Sequence, residues 1–278
     1  SQFGSGFFQN INGSLSNFER LLKKSKYVFG FDANIGTRSV ELLNKIVPNK
    51  IVNLRINKYK VSREDTYYIC PTINNFLNQL NDDIDNNKNI GIFTNSYSDA
   101  HALKSFIKEY HPFKNVKLYH GKMDERIKTQ HFANVNKYWK NYDIIIATPV
   151  VTAGVSFEEE HFDCVYGLFN NQSCCVSMCR QMLGRIRNVS EKSYYIHFVD
   201  YMQAFPTDIN IIENYLLYDR SYFSKLIESD GGIKNLQINL DGAGNVQNYN
   251  KNTLYWIVVA NIREENLSKN RFSKVFLD

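Results

Sequence analysis

The sequence predicts an α/β protein, a mainly parallel sheet flanked by helices, with a mostly helical C-terminal extension. Three observations predict it. Between residues 71 and 199, short apolar runs alternate with segments of helical spacing. The runs, such as Ile144-Ile-Ile-Ala147, are wholly apolar, which suits parallel strands covered on both faces. After Pro206 the alternation stops and helical spacing prevails.

Taken in order, residues 1 to 12 form a loose lead-in, and Leu15, Phe18, Leu21 and Leu22 predict a helix over 14 to 25. Tyr27-Val-Phe-Gly-Phe31 is a short apolar run ending at Asp32 and predicts a strand. Val40, Leu42, Leu43 and Ile46 predict a helix that Pro48 stops, and Ile51 to Ile56 a further strand. Residues 57 to 70 are polar and read as a hairpin excursion. Phe76, Leu77, Leu80 and Ile84 then predict a helix, and Ile90 to Thr94 a strand. A helix at Ala100, Leu103, Phe106 and Ile107 leads to a strand at Val116 to Tyr119. A helix over 123 to 138 precedes the strand Ile144 to Ala147. Strands follow at Cys164 to Phe169 and at Tyr194 to Val199, with an arginine-bearing helix around 179 to 187 between them. Beyond Pro206, Ile209, Ile212, Leu216 and Leu217 predict a helix, which Tyr222, Leu226 and Ile227 continue or follow with another. Asp230-Gly-Gly232 breaks it, 241 to 245 is a turn, and Leu254 to Ile262 is apolar before a charged end. The domain reading is a lead-in helix over 1–25, an α/β lobe over 26–205 and a helical extension over 206–278.

Composition narrows the class. The chain has 278 residues, 43% of them hydrophobic, enough for a substantial core. Mean hydropathy is mildly negative, and no apolar run approaches the ~18 residues of a membrane span. The first residues carry neither a basic region nor a signal-peptide core. Five cysteines, an odd number, argue against a disulfide framework. Cys174-Cys175-x-x-x-Cys179 lacks zinc-ligand spacing, so no metal site is expected and the thiols are read as reduced. A net charge of +5 permits nucleic-acid binding without proving it.

Two segments carry the chemistry. Thr148-Pro-Val-Val-Thr152-Ala-Gly154-Val-Ser156-Phe157 follows a buried strand, and Gln181-Met-Leu-Gly184-Arg185-Ile-Arg187 follows the next. In an open α/β sheet, ligands bind beyond the carboxyl ends of the strands. Thr94-Asn95, Tyr119-His120-Gly121, Thr148 and Asn170 all fall there. Thr148 and Thr152 offer hydroxyls, Gly154 lets backbone approach a ligand, and arginine suits phosphate because its fork donates two parallel hydrogen bonds. Each feature also has a structural reading. Thr94-Asn95 alone reads as a cap or turn, Lys122 and Arg126 as solvated, Asp32 as a strand-end cap, and Glu158-Glu-Glu-His161 as a solvated turn. Met178, Met182, Trp139 and Trp256 read as packing.

Gln181-x-x-Gly184-Arg185-x-Arg187 resembles the sixth motif of superfamily 2 helicases, Thr148 to Phe157 their fifth, and Ile92-Phe-Thr-Asn95 their fourth. Together these resemble the second of the two RecA-like lobes of a helicase motor, in the variant found in herpesvirus origin-binding proteins and related replication helicases of large DNA viruses. Phe31-Asp32-Ala33 and Asn266 to Phe272 resemble flanking segments of that variant. The resemblance implies a helicase ATPase of DNA replication that uses ATP with Mg2+. It implies that Gln181 and Arg185 face the γ-phosphate, with Arg185 or Arg187 as arginine finger. Gly154, Ser156 and Gly184 would lie by the nucleotide, and Thr94, Asn95, Thr148 and Thr152 would hold the phosphates of single-stranded DNA. Ser156 stands where most superfamily 2 helicases have Asp, and Arg187 is two beyond Arg185 rather than three.

No Gly-x-x-x-x-Gly-Lys-(Ser/Thr) loop and no Asp-Glu-x-His box occurs in the chain. The metal and most phosphate contacts are therefore expected from a first lobe upstream in the same polypeptide, and this fragment alone is expected to be inactive. Other replication proteins are further expected partners, no membrane is, and the expected location is a reducing compartment inside a host cell. Two rivals stand beside this reading: a RecA-like module that grips nucleic acid or protein without hydrolysis, and an RNA helicase lobe.

Overall fold

A computed structural model of the chain describes residues 11–30, 37–51, 53, 55, 64–151, 154–218, 238–240, 242, 246–249 and 253–278. Two compact units are present: Lys60–Ala204 with Ser268–Asp278, and Ser1–Tyr59 with Phe205–Leu267.

The second of these units begins with α1 (Ile11–Lys24) and α2 (Thr37–Ile46). Leu22 of α1 packs against Ile46 and Val47 at the end of α2, just before Pro48. The strand predicted from Tyr27 is not formed: Tyr27 to Gly30 has no regular structure, and Tyr27 and Phe29 are exposed. An apolar run becomes a strand only where a neighbour completes its ladder. Phe31, Asp32 and Ala33 lie outside the described residues. Of the strand predicted over 51–56, residues 51, 53 and 55 are described; none is in a strand, and Ile51 is exposed.

The sheet unit runs β1 (Thr66–Ile69), α3 (Ile73–Asp85), β2 (Ile90–Thr94), α4 (Tyr97–Tyr110) and β3 (Val116–Tyr119). It continues with α5 (Glu125–Ala133), α6 (Val135–Trp139), β4 (Ile144–Ala147), β5 (Cys164–Asn170), α7 (Val176–Leu183) and β6 (Ser193–Val199). The six strands lie in the order β1-β6-β5-β2-β4-β3, every pair parallel. This is the predicted α/β class, a parallel sheet flanked by helices. One face carries Ile90, Ile92, Ile144, Ile146 and Tyr166 against Phe76 and Leu80 of α3 and Leu103 and Ile107 of α4. The opposite face carries Phe93, Ile145, Val165 and Phe169 against Trp139 and against Val176, Cys179, Met182 and Leu183 of α7.

Short polar side chains set the helix starts. Thr72 caps α3 by accepting from Asn75 N at 3.1 Å, and Ser96 caps α4 by accepting from Asp99 N at 3.2 Å. The single helix predicted over 123–138 is two, because Asn134 leaves helical geometry (φ −145°) and its side chain caps α6 on Lys137 N at 3.1 Å. Strand β1 replaces the predicted hairpin excursion. All four of its residues are exposed, so it lacks the apolar signature of an interior strand. It pairs with β6 through stacked Tyr67–Tyr194 and Tyr68–Tyr195 rings, 4.8 and 5.0 Å apart.

The C-terminal part contains α8 (Ile209–Tyr218), a hairpin of β7 (Ile238–Leu240) and β8 (Val246–Tyr249), α9 (Thr253–Lys269) and α10 (Phe272–Leu277). It is mostly helical among the described residues; of the predicted turn over 241–245 only Gly242 is described. Tyr222, Leu226, Ile227 and Asp230 to Gly232 lie outside the described residues. Phe272 and Phe276 of α10 join the sheet core on the α7 side. Among the described residues no helix is long and apolar enough to cross a membrane.

Candidate functional site

Because the sheet is parallel, Thr94, Tyr119, Ala147, Asn170 and Val199 all end strands on one edge. The two marked segments are tied together by backbone. Phe157 and Ile186 form a one-residue parallel bridge: Phe157 N donates to Arg185 O at 2.7 Å and Arg187 N donates to Phe157 O at 2.9 Å. This corrects the helical placement of the arginines. Helix α7 ends at Leu183, Gly184 is its C-cap, and Arg185 and Arg187 lie beyond it.

The bridge fixes three side chains. Ile186 is buried, Arg185 is half-buried and Arg187 is exposed. Arg185 Nη1 donates to Val155 O at 3.1 Å, and Arg187 Nε donates to Ser156 Oγ at 3.2 Å. Ser156 Oγ in turn donates to Glu158 Oε1 at 3.3 Å. Arg185 Nε is a buried donor with no hydrogen-bond partner among the described residues. Burial and the nearby Arg187 charge lower the pKa of Arg185. Among the described residues neither arginine sits in an ion pair. Two guanidiniums held together with a spare buried donor suit an anion.

The other predicted residues divide. Gln181 is exposed in the last turn of α7. Gly154 has φ +75°, with open space where a Cβ would stand. Thr94 is fully buried, and its Oγ1 accepts from Ser96 N at 3.2 Å. Asn95 is buried and hydrogen-bonds the backbone of Asn170. Thr148 is buried, its Oγ1 donating to Tyr119 O at 3.3 Å. Thr152 lies outside the described residues. The three described polar residues expected to hold a strand thus spend their side chains inside the fold.

On the same edge stands a cluster that includes two residues the sequence did not single out, Tyr97 and His101. Tyr97 is 44% exposed, its ring 4.4 Å from His101 and 5.2 Å from His120, and Lys122 Nζ lies 4.9 Å from its centroid. Tyr97 and His101 are one helical turn apart on α4, a signal too common in an aromatic-rich chain to stand out. Among the described residues no group of three or more His, Cys, Asp or Glu could hold a metal ion, and all five cysteines are free.

Comparison with known proteins places this edge in context. The family model "Origin of replication binding protein" matches residues 57–209. A candidate helicase/primase complex protein of African swine fever virus is 34% identical over the whole chain, which spans 26% of that relative. The replication origin-binding protein of human herpesvirus 7 is 25% identical, matching 74% of this chain and 26% of its own length. The chain thus spans about a quarter of these relatives. The structure of S. cerevisiae Dbp5 bound to RNA and ADP BeF3 aligns with TM-score 0.48 and 18% identity, over 79% of this chain and 55% of that one.

Proposed function

Since the chain belongs to the origin of replication binding protein family, we propose that it is the second motor lobe of an ATP-dependent DNA helicase or translocase of replication. The lobe would supply the arginine finger and part of the grip on single-stranded DNA. The observation that carries the reading is the Arg185–Arg187 pair, bridged to the segment of Gly154 and Ser156, unpaired by carboxylates among the described residues and holding a spare buried donor.

A γ-phosphate fits those donors: an anion is the partner that the buried Arg185 Nε lacks. Bound ATP with Mg2+ would supply the phosphoryl group and the charge that accepts these arginines, with the metal and the base held by another lobe of the same polypeptide. Gln181, in the last turn of α7, would orient groups at the same phosphate. Arg185 and Arg187 would stabilise charge that develops on the transferring phosphoryl oxygens. Gly154, Ser156 and Gly184 would border the nucleotide. Contacts to a strand at Thr94, Asn95 and Thr148 would come from backbone, since those side chains are engaged; Thr152 would add its hydroxyl.

The test is ATPase activity with and without single-stranded DNA on a polypeptide that includes the preceding lobe, beside its Arg185→Ala and Arg187→Ala variants. Turnover stimulated by DNA and lost in one variant, with DNA binding retained, supports the reading and names the finger. A well-folded two-lobe protein without turnover rejects it in favour of a binding module. Stimulation by RNA alone would make it an RNA helicase lobe.

A further inference from the structure

Gly91 sits inside β2, flanked by Ile145 of β4 and Val165 of β5. A Cβ there would stand 2.2 Å from Ile186 Cδ1 and 3.7 Å from its Cγ1. The end of the Ile186 side chain therefore occupies the notch that the missing side chain leaves. Ile186 is 1% exposed and lies between the two arginines. Its neighbours' backbone groups make the bridge to Phe157. A second glycine lies close by: a Cβ at Gly167 of β5 would stand 2.6 Å from Phe169 Cε2 and 3.3 Å from Leu183 Cδ2. The end of α7 and the segment after it are thus seated on the sheet through two glycines.

We propose that Ile186, docked against Gly91, is the positioning residue that sets where Arg185 and Arg187 point, and so sets turnover rather than binding. The role rests on the functional reading above. The physical basis is that neither arginine is anchored at its own Cα by packing. Arg187 is exposed, and each guanidinium makes one hydrogen bond to the fold, Arg185 to Val155 O and Arg187 to Ser156 Oγ. The bridge to Phe157 holds the backbone in register, and the buried apolar contact between the arginines sets its distance from the sheet; close-packed interiors transmit a displaced methyl rather than absorb it. A shift at position 186 moves both guanidiniums together.

The geometry makes a rescue specific. Valine at 186 lacks only the Cδ1 that a methyl at 91 would strike, while the remaining Cγ1 lies at ordinary contact distance. In the full-length polypeptide, Gly91→Ala is expected to lower kcat for DNA-stimulated ATP hydrolysis about tenfold or more, with KM for ATP and affinity for single-stranded DNA nearly unchanged. Gly91→Ala combined with Ile186→Val is expected to recover most of that loss. Ile186→Ala, which empties the notch without any clash, is expected to lower kcat with KM preserved and keeps the test open if Gly91→Ala does not fold. Thermal midpoints of the same variants are read alongside. An active wild type whose double variant stays as impaired as Gly91→Ala, or whose Ile186→Ala variant keeps full kcat, overturns the proposal alone. A folded wild type with no ATPase overturns the functional reading and the role assigned to Ile186 with it. In that case the thermal midpoints still show whether the notch exists.

Discussion

The side-chain amide of Asn95 closes a two-point bridge on the backbone of Asn170: Nδ2 donates to Asn170 O at 2.7 Å, and Asn170 N donates to Oδ1 at 3.0 Å. Both residues are buried, at the ends of two adjacent parallel strands. The pair ties together the carboxyl ends of β2 and β5.

Asn95→Ala should therefore act first on stability. It strands a buried N–H and a buried carbonyl, a loss of about 3 kcal/mol. Urea unfolding should show the midpoint falling with the slope unchanged. A variant as stable as wild type that has lost affinity for single-stranded DNA would instead assign the amide to the nucleic acid.

Two glycines should separate under substitution. Gly154 has φ +75°, so Gly154→Ala costs about 1 kcal/mol in backbone strain although its methyl meets nothing within 4 Å. Gly184 has φ −73°, and an added Cβ would make only ordinary 3.7 Å contacts. Gly184→Ala should leave the unfolding free energy within about 0.5 kcal/mol of wild type. A fall in ATPase activity of the two-lobe protein at unchanged stability would show that the glycine serves a bound partner rather than the fold.

Acid should weaken the folded sheet unit through His120. Its pKa is lowered by burial, then by His101, Lys104, Lys122 and Lys128. A histidine whose folded pKa lies below its unfolded value of about 6.5 binds more protons unfolded, so stability falls as pH drops through that value. The midpoint of thermal unfolding should decline between about pH 7 and 5, and His120→Gln should flatten the decline. An unchanged slope in that variant would move the effect to His131, lowered by burial and Lys117.

Thiol reactivity should be selective. The hydrogen bond from Cys179, 3.6 Å away, holds the Cys174 thiol below its ordinary pKa. Its partner Cys179 is pushed up by that same bond and by burial, while burial raises Cys164 and Cys70. Iodoacetamide followed by peptide mass mapping should find Cys174 modified ahead of Cys70, Cys164 and Cys179. Equal labelling of Cys174 and Cys179 would mean that the two thiols are not held in this arrangement.

How far the sequence could be read depended on how local each signal was. The strands at Ile90 and Ile144 are where their apolar runs begin, because an interior strand covered on both faces must be mainly apolar. Strand β1 was misread because an exposed edge imposes no such rule. The run at Tyr27 was misread because no neighbour pairs with it. The arginines were visible as residues, but not their place beyond the end of α7.

By itself, then, the sequence determined the fold class and most strand positions, which follow from composition and periodicity along a continuous stretch of chain, while Gly154, Ser156, Gln181, Arg185 and Arg187 were marked out by motif resemblance. Only the tertiary structure decided which of the edge residues are free to act. Thr94, Asn95 and Thr148 are spent on partners up to 75 residues away. Ile186, between the two arginines, fills the gap left at Gly91, 95 residues earlier in the chain. Hydrogen bonds and packing act over a few ångströms in space whatever the distance along the chain, so no local pattern announces them.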